Sequence, residues 1–357
     1  MTAIQEPKVD GRATYLRYIE GEGIPIVEGL YIPDLKEVEV SPWARKGALG
    51  AIVRLEGAEN LNDAYVLEIP PGAETTPQRH MYEELVYVVQ GRGATTVSNS
   101  AGTKVTFEWG PGSVFGIPLN ASYQHFNGSG SEPARYYAVT SAPLMMNLFH
   151  NQDFIFGTDA DFLDRFGGES HDFSGGGKSY AGRIWETNFI PDVRAMKLQR
   201  WNERGAGGTN AMLELAESSM CGHISEFPVG TYKKAHRHRA GAHVIILSGQ
   251  GFSMLWEENE PIRKVDWKPG SVVVPPERWF HQHFNAGPTP ARYLALRWGS
   301  KKFPVFRDWG IDKSVKEGGD QIEYEDEDLG VRQTFEAELA ANDVRSQMDG
   351  VLARAGA

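Results

Sequence analysis

Apolar residues along the chain fall in short β-branched and aromatic runs rather than at helical spacing. ELVYVVQG at 84–91 and HVIILSGQG at 243–251 are continuous apolar stretches ended by glycine, the pattern of buried strands. GSVFGIP at 112–118 and GSVVVPP at 270–276 have the same character, and proline stops each strand. PARYYAVTSA and PARYLALRWGS, beginning at Pro133 and Pro290, predict one more aromatic and aliphatic strand apiece. The runs come in pairs. Gly72, His80, Gly91, Gly93, Gly112, Pro118, His125 and Asn127 recur as Gly230, His238, Gly249, Gly251, Gly270, Pro276, His283 and Asn285, every pair 158 residues apart. One offset held over such a span marks a duplicated domain.

Many short strands joined by Gly and Pro turns predict a mainly β chain of two jelly-roll β-barrel domains with peripheral helices. No strand–GxGxxG–helix unit supports a doubly wound alternative. The expected division is 1–60 as N-terminal strands or an oligomer arm, 61–150 as a first domain, 151–209 as inter-domain loops and helices, 210–305 as a second domain, and 306–357 as an acidic linker and C-terminal helix. The GGGKS stretch at Gly175–Ser179 lacks the full phosphate-loop spacing and reads as loop. Five acids between Glu323 and Asp328 read as a solvated linker, and the segment after them has helix-forming composition.

Composition narrows the function. The 357 residues are 41% apolar, enough for well-filled cores, and the net charge of −11 opposes a nucleic-acid backbone. Cys221 is the lone cysteine, so neither an intrachain disulfide nor a thiolate metal cluster can form. Met1–Arg12 carries no secretory apolar stretch, and no run of roughly 18 apolar residues marks a membrane helix. These features predict a soluble cytoplasmic protein with neither nucleic-acid nor membrane partners.

The sharpest chemical signal is His236-Arg237-His238. On a strand its imidazoles share a face while Arg237 points away. In WFHQHFN at 279–285, His281 and His283 alternate in the same way. Two strands can thus bring His236, His238 and His281 around one ion, the alternative being a buried hydrogen-bonding cluster. Lys234, Arg239, Arg278 and Arg297 are the basic candidates for a substrate carboxylate, against ordinary surface solvation.

This pattern resembles the cupin superfamily, specifically a bicupin. Gly230, His236, His238 and Gly249 meet its first motif; Gly270, Pro276, His281 and Asn285 meet its second, with Arg278 in place of the usual glycine. Ala242 stands at the usual glutamate position, leaving three neutral imidazoles, and the adjacent His243 is an alternative ligand. The first copy looks degenerate: Gln78 and Tyr123 replace two histidines while His80, Glu84 and His125 remain. It reads as a structural or vestigial domain, or as a weak site of Gln78, His80, Glu84 and His125.

The HRH motif and the missing glutamate further resemble gentisate and related hydroxy-aromatic ring-cleaving dioxygenases. That resemblance implies Fe(II) on His236, His238 and His281, with His283 orienting substrate or moving a proton. It implies extradiol-type cleavage of a small anionic, hydroxy-aromatic carboxylic acid by dioxygen in aromatic compound catabolism, and a homodimer or homotetramer. The alternatives are an oxygen-independent lyase, decarboxylase or isomerase using Mn(II), Zn(II) or Ni(II), and a bicupin that binds a small molecule without turnover.

Overall fold

A computed structural model describes residues 13–355 apart from 59, 168–171, 240 and 306–311. Residues 1–12 of the expected arm, and 306–311 and 356–357 of the C-terminal region, lie outside the described residues. Each repeat builds one large and one three-stranded sheet. In the first, the large sheet runs in the order Ile26–Gly29, Ala48–Leu55, Asp63–Ile69, Ala134–Thr140, Glu84–Gln90, Val114–Ile117 and Phe189–Ile190, with Ser41–Trp43 paired to Ala48–Leu55. Ser122–Asn127, Gly93–Ser98 and Lys104–Trp109 form the small sheet. The second repeat matches this plan. Its large sheet centres on Thr209–Leu215, Met220–Phe227, Ala291–Trp298 and His243–Ser248, and its small sheet is Arg263–Trp267, Gly251–Trp256 and Phe280–Asn285.

The barrels expected from the sequence are not formed. Every sheet is open, its hydrogen-bonded order running from one edge strand to another, and none closes on itself. Proline is one physical reason, because it supplies no ladder N–H: Pro118 ends the strand Val114–Ile117, and Pro275 and Pro276 lie just beyond Val272–Val273. The segments that pass between sheets supply the other. They join the small sheets through isolated bridges, Glu74 with Phe126 and Gln78 with Tyr123 in the first repeat, Tyr232 with Phe284 and His236 with His281 in the second. The result is two open sheets face to face in each repeat. The HRH segment accordingly carries bridges rather than a regular strand.

The two large sheets pack back to back. Val53, Val66, Leu85 and Tyr137 of one meet Leu213, Ile224, Ile245 and Leu296 of the other in a continuous apolar layer. The repeats also exchange short strands. Tyr31–Ile32 pairs with Val272–Val273 of the second repeat, and Phe189–Ile190 pairs with Val114–Phe115 of the first. Part of the expected arm therefore serves the other repeat of its own chain.

The helices are peripheral. Asp328 caps Leu329–Ala341 by accepting from the Gly330 N–H at 2.7 Å. Val331, Phe335 and Leu339, four residues apart, seat that helix on Tyr232, Phe252 and Phe284. Each such buried side chain contributes roughly 1.5–3 kcal/mol. The acidic stretch before it is docked rather than solvated. Glu323 pairs with Lys234, Glu327 accepts from Tyr232 and from the Gln282 amide at 3.1 Å, and Asp326 pairs with Lys316. Among the described residues no helix is long and apolar enough to cross a membrane.

Candidate metal centre

The second repeat brings together the three histidines picked out by spacing. His236 and His281 exchange both backbone hydrogen bonds, at 3.1 and 2.8 Å, which places their rings side by side with centroids 4.2 Å apart. His238 completes the group, and one ring nitrogen from each of the three lies within 4.8 Å of the others. Each Nδ1 faces a carbonyl: His236 that of Lys234 at 3.4 Å, His238 that of Arg239 at 2.6 Å, and His281 that of Trp279 at 3.2 Å. A carbonyl can only accept, so the hydrogen sits on Nδ1 and the Nε2 lone pair is left for an ion. This is how histidine ligands are oriented in protein metal sites. Burial foremost, and then neighbouring cationic groups such as Arg204 and the other imidazoles, holds His236 and His281 well below the ordinary imidazole range. Neutral imidazole is the ligating form. The donor set therefore fits a divalent transition ion.

His283 lies beside the triad, its ring centroid 5.8 Å from that of His281. Trp267 Nε1 donates to Ser253 Oγ at 3.0 Å, and Ser253 Oγ is hydrogen-bonded to His283 Nδ1 at 2.7 Å. The orientation of the ring is thereby fixed, and burial brings the His283 pKa down to about 3. His243 does not join the triad. Its Nδ1 is hydrogen-bonded to Tyr137 Oη at 2.7 Å in the layer between the repeats.

The four basic candidates separate into two kinds. Lys234 is paired with Glu323, Arg239 with Glu277 at 3.7 Å, and Arg278 with Asp320 at 2.8 and 3.0 Å. Asp320 also accepts from Arg237 at 3.0 Å. Burial raises the Asp320 carboxyl, but the two guanidiniums outweigh it and hold it below its ordinary value. These pairs strap the C-terminal segment over the HRH motif, where Gln321 bridges to His236 and Arg204 donates to Gln321 at 2.8 Å. Arg297 differs. Its Nε donates to His223 Nδ1 at 3.4 Å and its Nη1 to the Trp298 carbonyl at 2.7 Å.

In the first repeat the corresponding space holds a lysine. Lys46 Nζ donates to Tyr65 at 3.2 Å and Tyr123 at 3.1 Å, with Glu84 at 3.9 Å. His80 Nε2 lies 2.9 Å from Tyr123 Oη and 3.5 Å from Glu84. Burial would raise the Glu84 carboxyl, but Lys46 and then His80 outweigh it and bring it down to about 2. Gln78 turns its amide to the Arg45 and Thr76 carbonyls, at 2.9 and 3.1 Å. His125 is held by Thr95 at 2.7 Å. Of the set Gln78, His80, Glu84 and His125, Glu84 thus has an ammonium of the chain itself beside it. Sequence reasoning missed Lys46, and with it Lys233, His223, Ser253 and Asp320. The repeat offset pairs Lys46 with Arg204 and Thr95 with Ser253, and was the one signal able to find them.

Two face-to-face open sheets per repeat, a histidine triad in one of them and a 158-residue duplication define a bicupin fold. A family model described as a cupin domain matches residues 65–140, within the first repeat. A 5-aminosalicylate 1,2-dioxygenase of a Comamonas species is 32% identical over 78 residues, 22% of this chain and 19% of that protein. Among solved structures, oxalate decarboxylase of Lactobacillus farciminis in a formate complex is similar over 81% of this chain and 92% of that one, with TM-score 0.52 and 12% identity. Another oxalate decarboxylase structure is similar over 76% and 77%, with TM-score 0.50 and 14% identity. At that identity the likeness is one of fold.

These findings correct the iron-dependent ring-cleaving dioxygenase expected from the sequence. The resemblance to a dioxygenase is confined to a fifth of either chain, whereas the similarity spanning both repeats is to oxalate decarboxylases. The expectation of Fe(II) falls with it. Three imidazoles of themselves select no single first-row metal.

Proposed function

We propose that the chain is a divalent-metal lyase, using manganese(II), that decarboxylates a small organic acid anion without consuming dioxygen. The observation that carries this reading is the triad, with three Nδ1 atoms tied to carbonyls and three ring nitrogens left to converge on one ion. The bicupin fold shared with oxalate decarboxylases supports it. His236, His238 and His281 hold the ion. When bound, it supplies a positive charge that stabilises the electron pair left as the carbon–carbon bond breaks.

The rest is the work of the chain. Trp267 and Ser253 fix the orientation of the His283 ring beside the triad, where it can exchange a proton or hydrogen bond with a substrate oxygen. The strap of Asp320 and Gln321 holds the HRH segment in place through Arg237 and the bridge to His236. The substrate loses carbon dioxide, and the carbon left behind takes up a proton from the site. The test is carbon dioxide release from small carboxylic acids by manganese-loaded protein, with oxygen uptake recorded in parallel. Release without oxygen uptake is expected. Stoichiometric oxygen uptake, or no release from any acid by protein holding one manganese per chain, overturns the proposal.

A further inference from the structure

The three histidines of the triad are not held alike. His236 and His281 are buried and locked to each other by two backbone bonds, whereas His238 is half-buried and its ring faces a carbonyl of its own loop, that of Arg239. The course of that loop therefore sets where the third nitrogen points. The loop is gripped from the other repeat. Gly241 donates its N–H to the Gly57 carbonyl at 2.7 Å, and its own carbonyl accepts from the Asn62 amide at 2.8 Å. Two residues on, His243 is bonded to Tyr137 Oη at 2.7 Å. Gly57 follows Ala48–Leu55, the fully buried Asn62 precedes Asp63–Ile69, and Tyr137 lies on Ala134–Thr140, all elements of the first repeat.

The approach leaves room for glycine alone. Gly241 has φ +86°, and a Cβ there would stand 2.0 Å from Asn62 Oδ1. The grip is also reciprocal. The repeat offset matches Gly241 with Glu83 and Asn62 with Met220. The Glu83 carboxylate accepts from the Ser219 and Met220 N–H groups of the second repeat at 2.8 and 2.9 Å. Each repeat thus ties down the same loop of the other, and in the second repeat that loop leaves from His238.

We propose that the first repeat is the buttress of the metal centre in the second, with Asn62 the positioning residue that sets His238 through Gly241. Asn62 touches neither the ion nor a substrate. It restricts the loop, so that the third nitrogen is in place before an ion arrives rather than ordered on binding. This role rests on the metal site of the reading above and not on the reaction carried out there. Coupling between two sites is mutual: the factor by which the grip raises metal affinity is the factor by which the ion tightens the grip.

The test is calorimetric titration with manganese(II), with amide exchange of the free and loaded chain read by mass spectrometry. Asn62→Ala should weaken manganese binding about tenfold, the lower end of what groups that orient a ligand contribute. Gly241→Ala, which drives the loop off Asn62 from the other side, should reproduce that loss. Glu83→Ala releases the reciprocal contact and should lower stability to urea while leaving manganese affinity unchanged. A purely structural role would move stability without affinity, so the two readouts separate positioning from packing. In the wild type, manganese should slow exchange in peptides spanning Gly241 as well as in those spanning His236. That measurement decides even where Asn62→Ala fails to fold. Equal affinity in wild type and Asn62→Ala overturns the buttress, as does an equal loss in Glu83→Ala or protection that stops short of Gly241. A loss confined to Asn62→Ala and Gly241→Ala supports it even if no acid is decarboxylated. Manganese binding indifferent to Asn62 overturns it and leaves the lyase reading standing, and a wild-type chain that binds no manganese overturns both.

Discussion

Between its two sheets the first repeat carries Lys46, Tyr65, Glu84 and Tyr123; at the matching positions the second carries Arg204, His223, Ala242 and His281. Around these substitutions the frame is conserved between repeats. Trp109 donates to Thr95, which holds His125, just as Trp267 donates to Ser253, which holds His283. The first repeat balances its charge internally, with one ammonium, one carboxylate and phenols filling the remaining valences. In the second the acid is gone, Arg204 is drawn to Asp312 at 3.4 Å and to Gln321, and imidazoles replace phenols. One frame thus serves as a sealed core in one repeat and as an open, electron-poor site in the other.

The strongest way to break this comparison is to remove a ligand. His236→Ala or His281→Ala should lower metal affinity at least about a hundredfold, since even groups that merely orient a ligand cost ~10–100-fold. Elemental analysis should show metal content falling from one ion per chain toward none. His80→Ala should leave metal content unchanged. A metal loss from His80→Ala equal to that from His236→Ala would show that the first repeat also holds an ion.

Removing the internal cation tests the other half. Lys46→Met leaves Glu84 enclosed without its partner and should destabilise the chain by about 3–5 kcal/mol in urea unfolding. Lys46→Met combined with Glu84→Gln should recover most of that loss. The sign of the acid response follows from Glu84, whose folded value of about 2 lies below its ordinary 4.5. Its stabilisation is complete above pH 4.5 and is lost as pH falls from there toward 2, on the order of 3 kcal/mol. The double variant should lack this part of the acid limb. An unchanged limb would mean that Glu84 is not ionised in the folded chain.

How far these features were legible from sequence follows their physics. The duplication, the paired strands and the triad were legible because side-chain periodicity and a fixed offset report them directly. Closure into barrels was not, since pairing at a sheet margin depends on backbone register: Gln78 and Tyr123 meet in one isolated bridge where a ladder was expected. The acidic stretch read as solvated because its partners are remote, Lys234 lying 89 residues from Glu323. Lys46 was invisible for the same reason, its phenol partner Tyr123 lying 77 residues away. The metal is not written in three imidazoles at all.

A smaller effect sharpens the comparison at the shared hydroxyl. Thr95→Ala and Ser253→Ala each strand a buried imidazole nitrogen and an indole N–H, and each should cost about 2 kcal/mol of stability. Only Ser253→Ala should also change catalysis, lowering kcat more than it raises KM, because only His283 stands beside a metal triad. Equal kinetic effects from the two variants would mean that His283 acts through packing alone.

The smallest expected effect lies at the turn before the third histidine. Arg278 has φ +62°, and its counterpart Asn120 has φ +57°, so both repeats place a residue with a Cβ in the left-handed region. Asparagine visits that region readily, whereas an arginine there costs about 1–2 kcal/mol. Each position ties down a different outer segment. Asn120 donates to the Ala160 and Thr158 carbonyls at 2.5 and 3.3 Å, and Arg278 clasps Asp320 from a side chain that is half exposed. Arg278→Gly relieves the backbone and loses a solvent-screened ion pair of at most about 1 kcal/mol, so global stability should move by less than about 1 kcal/mol. Asn120→Gly gains little from the backbone and loses two enclosed hydrogen bonds, so it should destabilise the chain by about 1–2 kcal/mol. The strap should respond where stability does not: in Arg278→Gly, amide exchange at Asp320 and Gln321 should quicken, with exchange in Met220–Phe227 unaltered. Unchanged exchange at Asp320 would mean that Arg237 alone holds the strap, and that the arginine in the turn is strain without a local return.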